Sequence, residues 1–366
     1  MSVHHLSTIR LDPAAGYRRD PPKGVAIKAD SFWDRYDSET LIYDAIHCAR
    51  SKQVRVFLPR TLNFRKLITA ATFKIDGTPY AKLRWRKWRH HELLVFNGVP
   101  KAEALSVSID GKAFDIRINP VDPDLSDLTC LYTLSKDNDL DWIRNWVRFH
   151  VIHHGLEAIV IFDNGSKNYT LDALDTALRS VPGIKAVRIV NADLPHGPLN
   201  KDCTNRSDAK FLQVAMLNLA RDRFLSRAKS WLTLDVDELL LSPTAESIFD
   251  AVDRSRWGHL TFPGIWHYPN EADATRYQNH RRIRPNDAPS PTKYALRPAG
   301  PFGDYALQVH SLERIHRKFS FAPKRFWFMH CRGISTSWKY ARALPDGPFE
   351  PASDLAQNAL DVGFDL

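Results

Sequence analysis

Apolar runs of strand length alternate with helix-like segments over residues 128–237, and this alternation restricts the possible folds more than any other feature of the chain. Residues 158–162 are continuously apolar, as a parallel strand covered on both faces should be. Similar runs occupy 128–134 and 231–234, and 184–190 is also predicted to be a strand. Strands that alternate with helices predict an α/β fold with an open, mostly parallel sheet and helices on both of its faces.

The segments between these strands carry signals of helix ends. Asp139 is a typical helix N-cap, and apolar residues recur at helical spacing from there to Val151. Gly155 is expected to end this helix, because glycine readily adopts the left-handed conformation found after a helix C terminus. Two further helices are predicted over 171–178 and, as a longer amphipathic segment, over about 207–224.

Acidic residues follow two of the predicted strands. Asp163 lies in the turn after 158–162, and Asp235 and Asp237 follow 231–234. Residues i and i+2 of a strand face the same side, so the last two carboxylates are expected to converge. Ligands of open α/β sheets bind beyond the carboxyl ends of the strands, where all three acids are predicted to lie.

Two convergent carboxylates suit a hard divalent cation, Mg²⁺ or Mn²⁺, which prefers oxygen ligands and can hold a substrate diphosphate. Because such a cation stabilises a departing nucleoside diphosphate, Asp235 and Asp237 indicate sugar transfer from a nucleotide-sugar donor. The alternative for these residues is an acidic turn or a helix start, since paired acids are common after apolar runs.

Short motifs that occur in a fixed order over residues 127–342 resemble those of glycosyltransferases with the GT-A fold. The similarity is greatest to family 92 and to bacterial relatives related to family 2. Cys331 departs from the family pattern, which usually has tyrosine after the last histidine. The motifs are Lys136-Asp137-Asn138, Trp142-Ile143-Arg144-Asn145-Trp146, Phe149-His150, Ile161-Phe162-Asp163-Asn164-Gly165-Ser166, Asp235-Val236-Asp237-Glu238-Leu239, Lys293-Tyr294-Ala295-Leu296-Arg297-Pro298, Val309-His310 and His330-Cys331-Arg332-Gly333.

The resemblance implies transfer of a sugar from a nucleotide-sugar donor, predicted to be a UDP-sugar, to a glycan, polysaccharide or other hydroxyl acceptor. It implies that Asp235, Asp237 and His330 bind Mn²⁺ or Mg²⁺. His330 could instead be a satisfied core histidine, and the basic residues could lie on solvated surface. The residues implied to bind the donor are Lys136, Asn138, Asp163, Lys293, Arg297, Arg332 and Lys339.

Asp235, Asp237 and Glu238 are the predicted catalytic residues. Glu238 is expected to alternate to the other face of the strand, where a structural bond to a neighbouring loop competes with a general-base role. Glu271 and Asp273 are further candidates for the base that an inverting reaction would require.

Composition and charge narrow the class of protein. A length of 366 residues suits one large domain plus a smaller one, and a hydrophobic content of 43% supports a core. The 51 basic and 42 acidic residues give a net charge of +9. This charge favours anionic partners, including an anionic membrane surface, although nucleic acid is not the expected one. No apolar run approaches the roughly 18 residues of a membrane span and no secretory signal is evident, so the predicted location is the cytoplasm.

Four regions are predicted along the chain. Residues 1–30 are expected to be loosely ordered and 31–125 to form a small β-rich module with tight turns. A GT-A-like glycosyltransferase domain is predicted over 126–342, followed by an irregular tail over 343–366.

Two other functions stay open at this level. A phosphohydrolase of the haloacid dehalogenase type also pairs two aspartates after a strand, although Leu239 stands where that motif has Thr or Val. A non-catalytic protein that binds glycans or nucleic acid could use the basic segment 82–91, in which tryptophans interleave with cations. The same segment could also be a charged edge strand that resists aggregation.

Overall fold

The computed structural model of the protein describes residues 3–270, 273–334 and 347–364. Within these residues, no helix is both long enough and apolar enough to cross a membrane. The α-helices in the described residues are α1 (Ser31–Arg35), α2 (Arg65–Ala70), α3 (Leu140–His154), α4 (Leu171–Arg179), α5 (Leu212–Ala220), α6 (Ile248–Arg254) and α7 (Asp354–Phe364).

The strands fall into a first group that precedes α3 and a second group that follows it. The first group comprises β1 (Val3–His5), β2 (Ile9–Arg10), β3 (Thr40–Ile42), β4 (Asp44–Cys48), β5 (Gln53–Pro59), β6 (Thr72–Ile75), β7 (Thr78–Pro79), β8 (Arg84–Lys87), β9 (His91–Asn97), β10 (Ala104–Ile109), β11 (Lys112–Arg117), β12 (Asn119–Pro120) and β13 (Thr129–Ser135). The second comprises β14 (Ala158–Asp163), β15 (Ala186–Asn191), β16 (Ser230–Thr233), β17 (Glu238–Leu241), β18 (His259–His267), β19 (Arg282–Ile283), β20 (Ser290–Leu296), β21 (Trp327–Cys331) and β22 (Glu350–Pro351).

The chain forms two compact units, each built from separate stretches of sequence. The first unit consists of Met1–His4, Pro123–Asn191 and Phe224–Leu366. The second consists of His5–Asp122 and Ala192–Arg223. This division differs from the predicted ranges, because the stretch that contains α5 packs on β5 of the second unit rather than on the large sheet.

A nine-stranded sheet organises the first unit, in the order β1-β15-β14-β13-β16-β20-β18-β21-β17. Strands β15, β14, β13 and β16 run parallel, whereas β20 is antiparallel to both β16 and β18. The prediction of a mixed α/β fold with a large, mainly parallel sheet is therefore confirmed. Buried side chains of the helices, such as Trp146, Leu174, Phe249 and Leu360, share one apolar core with the strands.

Helix α3 begins and ends at the residues that its sequence predicts. The Asp139 side chain accepts a hydrogen bond from the Asp141 backbone amide, and Gly155 has a φ of 68° at the C terminus. The amphipathic helix predicted over 207–224 is wrong in extent and character. Helix α5 spans only nine residues and is buried on nearly every side, and a π-helical turn, Arg221–Leu225, follows it.

Two sheets form most of the second unit, one of five strands ordered β12-β4-β5-β9-β8 and one of four ordered β11-β10-β6-β7. The turn between β10 and β11 has positive φ values at Asp110 (48°) and Gly111 (80°), which a two-residue hairpin of this kind requires. Buried side chains of these strands form an apolar core separate from that of the first unit.

Both chain ends are more ordered than expected. Within 3–30, Ile9 and Leu11 are buried, and the fully buried Arg19 guanidinium donates to the backbone carbonyls of Asp37 and Thr40. The predicted irregular tail contains α7, which packs against α3. Sequence alone missed both because each depends on partners far away along the chain.

Candidate active site

Asp235 and Asp237 lie in the tight turn between β16 and β17, not on a strand, and Glu238 is the first residue of β17. The Glu238 amide donates to the Asp235 carbonyl at 3.0 Å, and the Asp235 amide donates to Oε2 of Glu238 at 2.8 Å. Strand alternation therefore does not decide where these side chains point. The expectation that Glu238 faces away from the aspartates is wrong, because the turn folds its carboxylate back toward Asp237.

His330 reaches this turn through strand pairing. Strand β21 lies between β17 and β18, so that His330 stands opposite Glu238 on one side and opposite Trp266 on the other. Its Nε2 is 3.1 Å from Oδ2 of Asp237, and its Nδ1 is 2.8 Å from Oγ of Ser290. The Trp266 ring stacks on the imidazole with centroids 3.9 Å apart. The histidine is thus held with Nε2 facing Asp237 and with Nδ1 3.9 Å from Oε1 of Glu238.

Asp237, Glu238 and His330 can each offer a ligand atom within 4.8 Å of the other two, and all three residues are buried. Two carboxylate oxygens and one imidazole nitrogen form a donor set that Mn²⁺ accepts readily and Mg²⁺ accepts through its oxygens. Buried carboxylates need a compensating positive charge. The residues present therefore fit a divalent cation.

Lys293 contacts two of the acidic side chains. Its ammonium is 2.9 Å from Oδ2 of Asp235 and 2.9 Å from Oε2 of Glu238, and the residue is 1% exposed. Burial alone would lower the pKa of Lys293, but the two carboxylates raise it above its ordinary value. Burial raises the pKa of Glu238 to about 7, even though the nearby ammonium opposes the increase. Lys293 therefore neutralises part of the acidic charge.

Arg332 lies beside the cluster. Its guanidinium carbon is 5.4 Å above the centroid of the Trp266 ring, on which His330 also packs. A cation held over an indole face is favourably placed by the ring quadrupole. The structure thus brings Asp235, Asp237, Glu238, Lys293, His330 and Arg332 to one region, while their functional roles stay predictions.

A second group of predicted residues lies at the carboxyl ends of β13 and β14. The Asp163 carboxylate accepts hydrogen bonds from the Ser166 amide (2.8 Å), the Ser166 hydroxyl (2.6 Å) and the Tyr169 hydroxyl (3.0 Å). The Lys136 ammonium donates to the Asn164 carbonyl at 2.7 Å. The Asn138 amide donates to the Ser135 hydroxyl at 2.8 Å. These three residues thus order the two loops at this edge of the sheet.

Other candidates are not brought to the acids. Arg297 follows β20, which runs antiparallel to β16. Arg297 therefore lies beside the N-terminal end of β16, whereas Asp235 lies beyond its C-terminal end. There its guanidinium is 3.7 Å from a carboxylate oxygen of Asp253. Asp273 accepts from the amide and hydroxyl of Thr275, and these bonds lower its pKa. Lys339 and Glu271 lie outside the described residues.

Sequence reasoning missed two contributors to the site. Ser290 opens β20 and contacts His330, and Trp266 lies on β18 and stacks on it. Neither residue stands near the acids in sequence, and a serine or tryptophan at a strand position carries no local signal of such a role. Only the pairing of β17, β18, β20 and β21 reveals them.

Comparisons with known proteins add little to the geometry of the site. No protein-family model matches the chain, and no curated protein matches it. Among solved structures, the galactosyltransferase LgtC in complex with donor and acceptor sugar analogs aligns at 14% identity and a TM-score of 0.27, covering 46% of this chain and 58% of that one. A structure of an active-site mutant of LgtC aligns at 15% identity and a TM-score of 0.25, covering 46% and 57%.

The chain thus spans less than two thirds of either structure. At these identities and TM-scores the two galactosyltransferases say nothing about what this chain acts on.

Proposed function

We propose that the protein is a metal-dependent glycosyltransferase of the GT-A type that uses a nucleotide-sugar donor. The observation that carries this proposal is the buried group of Asp237, Glu238 and His330, whose ligand atoms lie within 4.8 Å of one another. Its two carboxylates follow β16, at the carboxyl end of the parallel strands, where ligands of open α/β sheets bind, and β21 brings His330 to them.

Asp237, Glu238 and His330 would hold Mn²⁺ or Mg²⁺, with Asp235 as a further carboxylate beside them. The cation would neutralise the charge that develops on the departing diphosphate. Ser290 keeps Nδ1 of His330 engaged at 2.8 Å and so leaves Nε2 toward Asp237. A hydrogen bond of this kind fixes the ring of a metal-binding histidine and its protonation state.

Lys293 and Arg332 would supply the positive charge that supports the diphosphate. The Lys293 ammonium is already held 2.9 Å from Asp235, and Arg332 is held over Trp266. A guanidinium can bind phosphate with two parallel hydrogen bonds, whereas an ammonium acts as a point charge. We propose that Lys293 sets the charge of the acidic turn and that Arg332 contacts phosphate.

The nucleoside would bind near the two loops that Lys136, Asn138 and Asp163 order. Their hydrogen bonds within the protein support a role in shaping this edge, and we propose a UDP-sugar as the donor. The acceptor would be a hydroxyl of a glycan or polysaccharide. Of the described base candidates, Asp273 is engaged with Thr275. Glu238 would serve as a metal ligand rather than as the base, because Lys293 and the Asp235 amide already hold its carboxylate.

A basic edge strand could hold an anionic acceptor or membrane surface. Strand β8 is the last strand of its sheet, and its Arg84 and Lys87 side chains are exposed. The Arg65 guanidinium carbon lies 4.9 Å from the centroid of the Trp85 ring, so the neighbouring helix adds a further cation. Vesicles with anionic lipids should retain the protein at low salt and release it when Arg84 and Lys87 are replaced by glutamine.

Thermal unfolding with Mn²⁺ and a panel of nucleoside diphosphates tests the donor site. Ligand at about 100 times its dissociation constant should raise the midpoint by roughly 5 °C in the wild type. Asp237→Asn should abolish the shift. Asp253→Asn, which removes a carboxylate of α6 that lies beside Arg297 and away from the acidic turn, should keep it.

A folded wild type that shows no shift with any nucleotide would contradict the proposal. If that protein instead released phosphate from p-nitrophenyl phosphate, the phosphohydrolase alternative would replace it. A nucleotide that raises the unfolding midpoint identifies the donor class. Hydrolysis of the corresponding nucleotide sugar then tests the transfer chemistry directly.

A further inference from the structure

Strand β17 carries Glu238 at its first position and pairs with β21 on one side only. It is the last strand in the order of the nine-stranded sheet, so among the described residues no strand covers its second edge. Backbone groups on an uncovered edge leave a strand free to shift or to pair elsewhere. The outward-facing backbone groups of this strand therefore need other partners.

Three side chains of α3 supply these partners. The Trp146 indole donates to the Glu238 carbonyl at 2.9 Å. The Leu240 amide donates to Nε2 of His150 at 3.3 Å, and Nε2 of His154 is 2.9 Å from the Leu240 carbonyl. The three residues stand four apart on α3, so they line one face of the helix along the strand. We call this set the α3 ladder.

The two imidazoles of the α3 ladder have fixed and opposite roles. Nδ1 of His150 is 2.8 Å from the Trp146 carbonyl and must donate to it, which leaves Nε2 to accept from Leu240. Nδ1 of His154 accepts from the Ile248 amide at 3.3 Å, so its Nε2 donates to the Leu240 carbonyl. Both imidazoles are therefore neutral, each with one donor and one acceptor nitrogen, and together they bond the backbone amide and carbonyl of Leu240.

We infer that the α3 ladder positions the Glu238 carboxylate against Asp237 and His330. This inference rests on the proposed metal-dependent function. Strand β21 fixes Glu238 from one side by placing His330 opposite it, and Trp146 fixes its carbonyl from the other. Without the ladder, the strand could move relative to His330, and the ligand atoms would no longer converge. Trp146, His150 and His154 are positioning residues, since none of them lies among the proposed ligands.

Trp146→Phe in the full chain tests the ladder, because it keeps an aromatic ring and removes the donor to Glu238. Binding of Mn²⁺ alone, measured by calorimetry, should weaken about tenfold, as is usual when an outer partner of a metal ligand is lost. Trp142→Phe is the matched control. The Trp142 indole also donates from α3 to a backbone carbonyl, that of Thr275 at 2.7 Å, but not to β17. Its loss should leave Mn²⁺ affinity unchanged.

His154 provides a test by rescue. His154→Gln can still donate to the Leu240 carbonyl and should keep most of the Mn²⁺ affinity, whereas His154→Leu should lose about tenfold. A merely structural role would lower the stability of both variants without separating their affinities.

The possible outcomes are distinct. If the wild type binds Mn²⁺ and folded Trp146→Phe binds it equally well, the positioning role is overturned and the proposed function stands. If the folded wild type binds neither Mn²⁺ nor Mg²⁺, the proposed function is overturned and the ladder loses its role with it.

Discussion

At the scale of single residues, Lys293 decides the charge of the site. Its ammonium lies between the carboxylates of Asp235 and Glu238, and both Lys293 and Glu238 are buried. Removing one partner of a buried ion pair leaves an uncompensated charge, which costs far more than the loss of an exposed pair. The acidic turn therefore depends on a residue that is distant in sequence.

Lys293→Met is expected to lower the free energy of unfolding by about 3 kcal/mol, because Glu238 loses its buried counter-ion. Urea unfolding measures this change. Added Mn²⁺ should restore part of the loss if the cation binds the same carboxylates.

Lys229→Met is the control for this variant. Lys229 pairs with Asp250 at 3.0 Å, but both side chains are well exposed, so its loss should cost less than about 1 kcal/mol. Equal effects of the two substitutions would contradict the importance of the buried pair.

At the scale of elements, α3 joins several parts of the first unit. Its His150 and His154 bond the backbone of β17, and its Phe149 stacks on Phe364 of α7 with ring centroids 5.6 Å apart. Burial lowers the pKa of His150 to about 3 and that of His154 to about 4. Both rings are therefore neutral in the folded protein at pH values where the unfolded chain protonates them.

Stability should fall as the pH decreases below about 6.5, the ordinary pKa of histidine. The unfolded chain then binds protons that His150 and His154 in the folded state do not, so the contribution is complete above pH 6.5 and is lost toward pH 4. Each ring should account for about 1.4 kcal/mol per pH unit in this range.

Urea unfolding between about pH 7.5 and pH 5 tests this dependence. Other buried histidines also contribute to the pH dependence, so the informative quantity is the slope of the unfolding free energy against pH. In His154→Gln this slope should be smaller than in the wild type by about 1.4 kcal/mol per pH unit. His316→Gln, at an exposed position, should leave the slope unchanged. Identical slopes for all three proteins would contradict the assignment.

Helix α7 should contribute substantially to the stability of the first unit. Phe364 is 5% exposed and stacks on both Phe149 and Tyr277. Phe364→Ala should cost about 3 kcal/mol, because it removes a buried ring and leaves a cavity. Val362→Ala, at a position that is 58% exposed on the same helix, should change the midpoint of thermal unfolding little. A small effect of the Phe364 substitution would mean that α7 is only loosely packed.

At the scale of the whole molecule, the second unit is assembled from two distant stretches of chain. Arg223 is 2.9 Å from Asp44, and both side chains are buried. Asp44 also accepts from the side-chain amide of Asn119 at 2.7 Å. This network ties Ala192–Arg223 to His5–Asp122, which no local pattern in the sequence could reveal.

Arg223→Met should lower the unfolding free energy by about 3 kcal/mol, since it leaves the Asp44 carboxylate buried and unpaired. The control is Arg89→Met. Arg89 joins the same two stretches through Asp208 at 3.1 Å, but this pair is exposed and should contribute less than about 1 kcal/mol. Urea unfolding that shows similar losses for both variants would contradict the importance of the buried network.

The sequence by itself determined the elements and their class. Apolar runs predicted the parallel strands β13 and β14, and Asp139 and Gly155 predicted both ends of α3. These predictions succeed because burial on both faces of a strand and the conformation of a helix end are local properties of a few consecutive residues.

Only the tertiary structure decided which side chains meet. His330 contacts Asp237 from 93 positions away, and Trp146 bonds the Glu238 carbonyl from 92 positions away. The turn after β16, not strand alternation, directs Glu238 toward Asp237. Because β20 runs antiparallel to β16, Arg297 lies at the other end of these strands from the acids. The physical reason is that the register between strands and the packing of α3 depend on contacts summed over the whole unit, which no short segment encodes.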